Sequence, residues 1–203
     1  MAKQCWKPGA LLAPVPAVLV SCGEGERSNL LTVAWTGTVC TKPAMTYISV
    51  RPERHSYPLI RERGEFAINL VSRPLVGACD WCGVRSGRDG DKFAAAGLTR
   101  APASEIAAPL VAESPVNLEC RVTQVLELGS HHMFLAEIVA VDVEESLLDE
   151  SGKLCLDRAE LIHGAGPRPQ EDPAVCPPSA KKIGGAVKLG QNASQNPATA
   201  LKS

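Results

Sequence analysis

Two short polar stretches hold the densest chemistry of this chain. Arg51, Arg54, His55, Ser56 and Tyr57 crowd one of them, and Arg85, Ser86, Gly87, Arg88 and Lys92 the other. Together, planar cations, an ammonium and hydroxyl donors suit a phosphomonoester, whose charge is about −1.5 to −2 near neutral pH. Either stretch alone reads equally well as a solvated charged turn. Neither is a nucleotide fingerprint, since the chain has no Walker A sequence and no G-x-G-x-x-G following a strand.

A second pattern lies upstream. Leu30 to Trp35 is an apolar run rich in strand formers, and it leads into the small, hydroxylated residues Thr36 to Thr41, closed by Lys42-Pro43. Thr36, Gly37, Thr38 and Thr41 would let a flat ligand approach the backbone and would offer it hydroxyls and amides. An ordinary strand and turn explains the same residues.

Other reactive residues are weaker candidates. Cys79-Asp-Trp-Cys82 has redox or zinc spacing, but a zinc site calls for a second such pair and a thioredoxin-type motif for a βαβ context. Two incidental thiols near a helix end is the simpler reading, and no metal site is expected. His131 and His132 sit where two strands meet; a strand-end imidazole there could face a ligand as a hydrogen-bond donor or proton carrier. His163, beside Gly164-Ala-Gly166, is a second such candidate. No nucleophile elbow supports Ser-His-Asp hydrolysis.

The elements that must position these groups follow from local pattern. Ala17 to Ser21, Thr46 to Val50, Glu65 to Val71, Val116 to Val122 and Met133 to Val141 read as strands. Short helices are expected over Leu59 to Arg63, Val76 to Trp81 and Asp91 to Ala96, the first and last ended by Gly64 and Gly97. Several short strands with few helices and no βαβ alternation point to a β-barrel or sandwich. A chain of 203 residues suits one domain with a full core.

Net charge is −1, with 21 Lys and Arg against 22 Asp and Glu, which argues against nucleic acid as a bulk electrostatic partner. No apolar run reaches membrane-helix length, so no membrane is expected. Lys3, Lys7 and the run from Ala10 into Cys22 imitate an export signal, but Pro14 and Pro16 break a helical segment there and fit the entry to a strand. The eight cysteines lack the spacing of a disulfide scaffold, and a reducing, cytoplasmic location follows. After Ile162 the composition turns proline-rich. We expect a domain over 1–163, an arm and short closing element over 164–190, and a disordered tail over 191–203.

Taken in order, Asn29-Leu-Leu-Thr-Val-Ala-Trp35, Cys40-Thr-Lys-Pro43, Ser49-Val-Arg51 through Ser56-Tyr57, Phe66-Ala-Ile-Asn69, and Asp80-Trp-Cys-Gly83 through Ser86-Gly87 to Asp91-Lys-Phe93 resemble the flavin reductase-like family. The likeness is greatest to its flavoredoxin branch. It runs from about Leu11 to Leu156, and Ser86-Gly-Arg-Asp-Gly-Asp-Lys-Phe93 is its most specific piece. The resemblance implies an all-β dominated, Greek-key split β-barrel with a few short helices, usually a homodimer with flavin at the interface. It makes one site of the two polar clusters. Ala34, Trp35, Cys40 and Thr41 would line the isoalloxazine, and Arg51, Ser56, Tyr57 and Lys92 would hold the ribityl phosphate. Thr32, Val33, Lys42, Arg54, His55, Arg85, Ser86 and Gly87 complete the cofactor-binding set, and His131 is the catalytic candidate.

The implied function is an FMN-binding, NAD(P)H-dependent flavin reductase, with FAD as the alternative flavin and a redox protein as a further partner. A flavoredoxin-type electron carrier without its own nicotinamide site is the first rival, and a flavin- or haem-binding module the second. One departure from the family pattern stands out. Pro167 to Pro178 occupies the place of a tyrosine-containing stretch, and Val187 stands where a Phe is usual.

Overall fold

The computed structural model describes residues 1–162. The proline-rich arm, the closing element, the tail and His163 lie outside the described residues.

Among the described residues nine strands form: β1 (Val18–Cys22), β2 (Asn29–Val33), β3 (Thr36–Thr41), β4 (Ala44–Val50), β5 (Glu65–Leu70), β6 (Arg100–Ala101), β7 (Leu110–Val111), β8 (Val116–Glu127) and β9 (His132–Val143). Seven make one antiparallel sheet in the order β2-β1-β5-β8-β9-β4-β3, and β6 pairs with β7 beside it. The two sheet edges are consecutive in the chain. The backbone of Ser49 on β4 donates to the carbonyl of Trp35, 2.9 Å away, so the end of β2 folds back against β4 and the sheet curls into a barrel. The fold is all-β dominated, as its pattern of short strands implies.

Period-2 alternation decides which side chains fill the barrel. Val18, Val20 and Cys22 of β1 point inward to meet Val33, Ile48, Val50, Phe66, Ile68 and Phe134. Leu19 points the other way and joins Leu30, Val71, Leu75 and Phe93 under a helical cover. Both faces of β1 are therefore buried, which is why Ala17 to Cys22 reads as an unbroken apolar run rather than an alternating one.

Three helices complete the frame: α1 (Ser56–Arg63), α2 (Val76–Val84) and α3 (Lys92–Ala96). Tyr57, Leu59 and Ile60 of α1 belong to the barrel core, and Cys79 and Cys82 of α2 join the outer layer with Phe93 of α3. Asp91 caps α3, its carboxylate accepting from the backbone of Phe93 and Ala94, and Gly97 ends it at φ +67°.

Several boundaries differ from the sequence reading. Thr36 to Thr41 forms an edge strand paired with β4, and the Thr36 hydroxyl adds to that pairing by donating to the carbonyl of Tyr47 at 2.6 Å. Helix α1 starts three residues early, at Ser56. Strand β8 runs on to Glu127 because register shifts at Glu119/Cys120 and Val122/Gln124 let pairing continue while the alternation slips.

Candidate functional site

The turn after β4 and the loop after α2 come together over the start of β2. They enclose a cavity of about 370 Å³ whose wall includes Arg51, Arg54, His55, Arg85, Ser86 and Lys92. Asn29, Leu31, Glu53, Ser56, Gly87 and Arg88 complete the wall. Arg88 ties the two loops, its guanidinium donating to the carbonyl of Glu53 at 3.0 Å. Both polar clusters of the sequence thus form one site.

The floor is prearranged. Asn29 Nδ2 donates to Ser56 Oγ at 2.7 Å, which leaves the hydroxyl proton of Ser56 available to another acceptor. Lys92 is buried, and its Nζ donates to the carbonyls of Leu30 at 2.8 Å and Cys82 at 2.6 Å. An ammonium has three protons, so one remains for the cavity. Helix α1 begins on this wall, but the amide of Tyr57 already donates to the carbonyl of Arg54 at 3.0 Å and Pro58 has none, so what this end of the helix offers an anion is the Ser56 hydroxyl. Gly87 is required by close approach: a Cβ would stand 2.3 Å from Asn29 Oδ1 and 2.6 Å from His55 Cδ2.

The field at the site is positive. Burial, then the nearby charges of Arg88 and Lys92, hold His55 below its usual pKa of 6.5. His131 is lowered as well, by burial first and then by Arg51, with Arg54 adding to it and Glu53 opposing. His131 is thus within electrostatic reach of three residues of the wall without lining it, and its ring lies against Trp35 with centroids 4.2 Å apart. Burial also lowers the pKa of Lys92.

Other expected site residues fall elsewhere. Tyr57 stands off the cavity: its hydroxyl is 2.7 Å from His132 Nδ1 and accepts from Arg61 at 2.6 Å, so its tie is to β9 and α1 rather than to a phosphate. The Thr32 hydroxyl donates to the carbonyl of Cys79, binding β2 to α2. Val33 is core, and it offers a ligand only its backbone. Ala34 and Trp35 form the break between β2 and β3. Cys40, Thr41 and Lys42 sit at the tip of the β3–β4 hairpin, about 20 Å along an extended strand from Trp35 and away from the cavity. Asn29, Leu31 and Glu53 were missed as site residues. The signal for Asn29 was its polarity at the head of an apolar strand.

Burial pushes the Cys82 thiol up to about 11, and Cys22 and Cys120 to about 12, which suits packed thiols and not reactive ones. A larger cavity of about 570 Å³ lies between α2 and the 144–160 segment, but Glu113, Glu144 and Glu160 line it and would repel a phosphate.

The flavin reductase like domain model matches residues 11–162 of this sequence. The chain belongs to the flavin reductase-like family. Flavoredoxin of Desulfovibrio vulgaris (Miyazaki F) is 33% identical and superposes with a TM-score of 0.74, covering 82% of this chain and 90% of its own. Flavoredoxin from Methanosarcina acetivorans is 27% identical at the same TM-score, with 82% and 88% covered. An NADPH-flavin oxidoreductase of Streptomyces viridifaciens is 26% identical over 128 residues, 62% of this chain and 65% of that one. The curled sheet of this family member is the split barrel. Among its described residues no helix is long and apolar enough to cross a membrane.

Proposed function

We propose that the protein binds FMN and acts as an NAD(P)H-dependent flavin reductase that takes hydride from the nicotinamide and passes electrons onward. The observation that carries this reading is the juxtaposition of an anion cavity with an aromatic ledge. Ser56 and Lys92 supply one end of an FMN-shaped site, and Trp35 with His131 against it supplies a flat surface within electrostatic reach of Arg51 and Arg54 on the wall. FMN would bring the redox chemistry itself. The protein's share is to hold the phosphate with Ser56, Lys92 and Arg51, to give Trp35 and the backbone of Val33 and Ala34 to the ring, and to keep His131 neutral beside it. The NADPH-flavin oxidoreductase relative supports a nicotinamide donor.

The flavoredoxin likeness favours a second reading, an FMN electron carrier without a nicotinamide site. A homodimer fits both. Cys40, Thr41 and Lys42 stand too far from the cavity to touch a flavin bound in their own subunit, and a second copy would bring them to it. We place the protein in the cytoplasm, where thiols stay reduced.

Two measurements test this. The spectrum of the purified protein, with mass identification of released cofactor, should show FMN; a colourless protein unmoved by micromolar FMN would overturn the flavin reading. Steady-state NADPH and NADH oxidation with free FMN should show turnover, and its absence in an FMN-loaded protein would favour the carrier.

A further inference from the structure

The cavity carries more positive charge than one phosphomonoester offsets. Five cationic side chains line it against the single carboxylate of Glu53. A phosphomonoester brings only about −1.5 to −2. Two of the five are already engaged: Arg51 pairs with Glu53 at 2.6 Å, and Lys92 donates to two carbonyls. Three guanidinium groups are left, on Arg54, Arg85 and Arg88. Among the described residues none of them has a carboxylate within ion-pair distance, and Arg88 makes its one side-chain contact with a backbone carbonyl.

These three differ in placement from the floor groups. Ser56 and Lys92 are buried, whereas the arginines sit exposed on the two loops that form the rim. Like charges held this close repel one another unless an anion lies between them. A phosphate seated on Ser56 and Lys92 would leave the rim unmatched. Guanidinium forks are suited to phosphoryl oxygens, which they bind in pairs.

We infer that the cavity takes two phosphoryl groups, one on its floor and a second at the rim under Arg54, Arg85 and Arg88. The proposal deepens the flavin reading, which identifies only what fills the floor. The second group has two sources: the diphosphate of a dinucleotide flavin, or a phosphate of the nicotinamide dinucleotide docking beside FMN.

The test uses the full chain stripped of flavin, titrated calorimetrically with inorganic pyrophosphate and with phosphate at constant pH and ionic strength. Pyrophosphate should bind at least ten-fold tighter. The exposed double variant Arg85→Gln/Arg88→Gln should cut that advantage below about three-fold while changing phosphate affinity little. An absent preference, or one that survives the double substitution, would overturn the proposal. Comparing FAD with FMN, and then NAD(P)H on the FMN-loaded protein, separates the sources. A ten-fold preference for FAD, abolished in the variant, assigns the rim to the flavin. Equal flavin affinities with a raised KM for NAD(P)H in the variant assign it to the donor, and neither effect refutes the rim seat. A protein that prefers pyrophosphate yet binds no flavin would overturn the flavin reading and leave the two-phosphate site standing.

Discussion

The ring of His131 lies against that of Trp35, centroids 4.2 Å apart and planes tilted by 45°. Burial and Arg51 lower the pKa of His131 from 6.5, so at neutral pH the imidazole is uncharged and can accept or donate one hydrogen bond. His131→Ala should slow flavin reduction in stopped-flow more than it weakens FMN in equilibrium titration. Because the neutral form predominates, any rate contribution from His131 should stay flat from pH 7 to 9 and change only below pH 6.5. Unchanged reduction rates would make His131 a packing partner of Trp35 and favour the electron carrier.

Lys92 and the arginines should respond differently to ligand choice. Lys92→Ala leaves two buried carbonyls without a donor, a loss of about 3 kcal/mol or more in stability. Its loss should loosen the floor for both flavins and cost FMN, whose phosphate it also holds, more than riboflavin. Arg51→Ala touches no buried group and should weaken FMN selectively, by up to about 1.5 kcal/mol, with riboflavin unaffected. Parallel titrations with the two flavins, and thermal melts, check both expectations.

Gly87→Ala tests the close packing of the two loops. The new methyl group would press on Asn29, which is buried and holds Ser56, so relief requires the floor to move. Overpacking of this kind costs about 1–3 kcal/mol. Flavin affinity should fall at least ten-fold together with the melting temperature; a variant with wild-type affinity would show that the loop can shift freely.

How much of this was legible beforehand varies by residue. The strands read over Ala17 to Ser21 and Glu65 to Val71 and the helix stop at Gly97 announced themselves, because burial and helix termination act through nearest neighbours in sequence. Asp91 proved to cap its helix rather than to start it. The two cation clusters were visible, but nothing local showed that Arg88 would reach the carbonyl of Glu53. Tyr57 reads as a phosphate donor within its turn, yet starting α1 at Ser56 swings its hydroxyl to His132, 75 positions on. Lys92 looks like a surface lysine and is a buried brace, since its partners are carbonyls of β2 and α2 that only the tertiary fold brings together.

A carboxyl pair outside the site, Glu119 buried and Asp142 half-buried, should give the protein a measurable pH signature. Glu119 is buried and accepts from the backbone of Ser104, Glu105 and Ile106 and from the Ser104 hydroxyl, at 2.7–3.0 Å. Burial would raise its pKa, but these donors outweigh it and hold it below 4.5. Burial and the charge of Glu119 raise Asp142, its neighbour, above 3.8. The signs are opposite. A lowered carboxylate stabilises the fold above its unfolded pKa and loses that as pH falls, whereas a raised one stabilises at low pH and loses that as pH climbs through its folded value. Asp142→Asn keeps the amide in place of the protonated acid and cannot ionise. Denaturant unfolding from pH 4 to 8 should therefore show the variant gaining on the wild type as pH rises, while both lose stability together on acidification as Glu119 takes up its proton. A constant difference across that range would mean that Asp142 does not change its protonation there.

The β3–β4 hairpin gives the last test, that of assembly. Strand β3 is an edge of the seven-stranded sheet, and Val39 on it is 52% exposed. Edge strands with bare apolar residues invite pairing with another chain unless charge or a bulge prevents it. A bulge does interrupt β3 between Thr38 and Cys40, which bends the strand and so argues against open-ended sheet growth and for a closed, two-fold contact. Light scattering should give a homodimer for the FMN-loaded protein. Val39→Lys, on an exposed position where folding has little to lose, should shift it towards monomer and weaken flavin in the same concentration range, because Cys40 to Lys42 would no longer reach the site of the other subunit. A monomer that binds FMN as tightly as the dimer would show that one subunit forms the whole site.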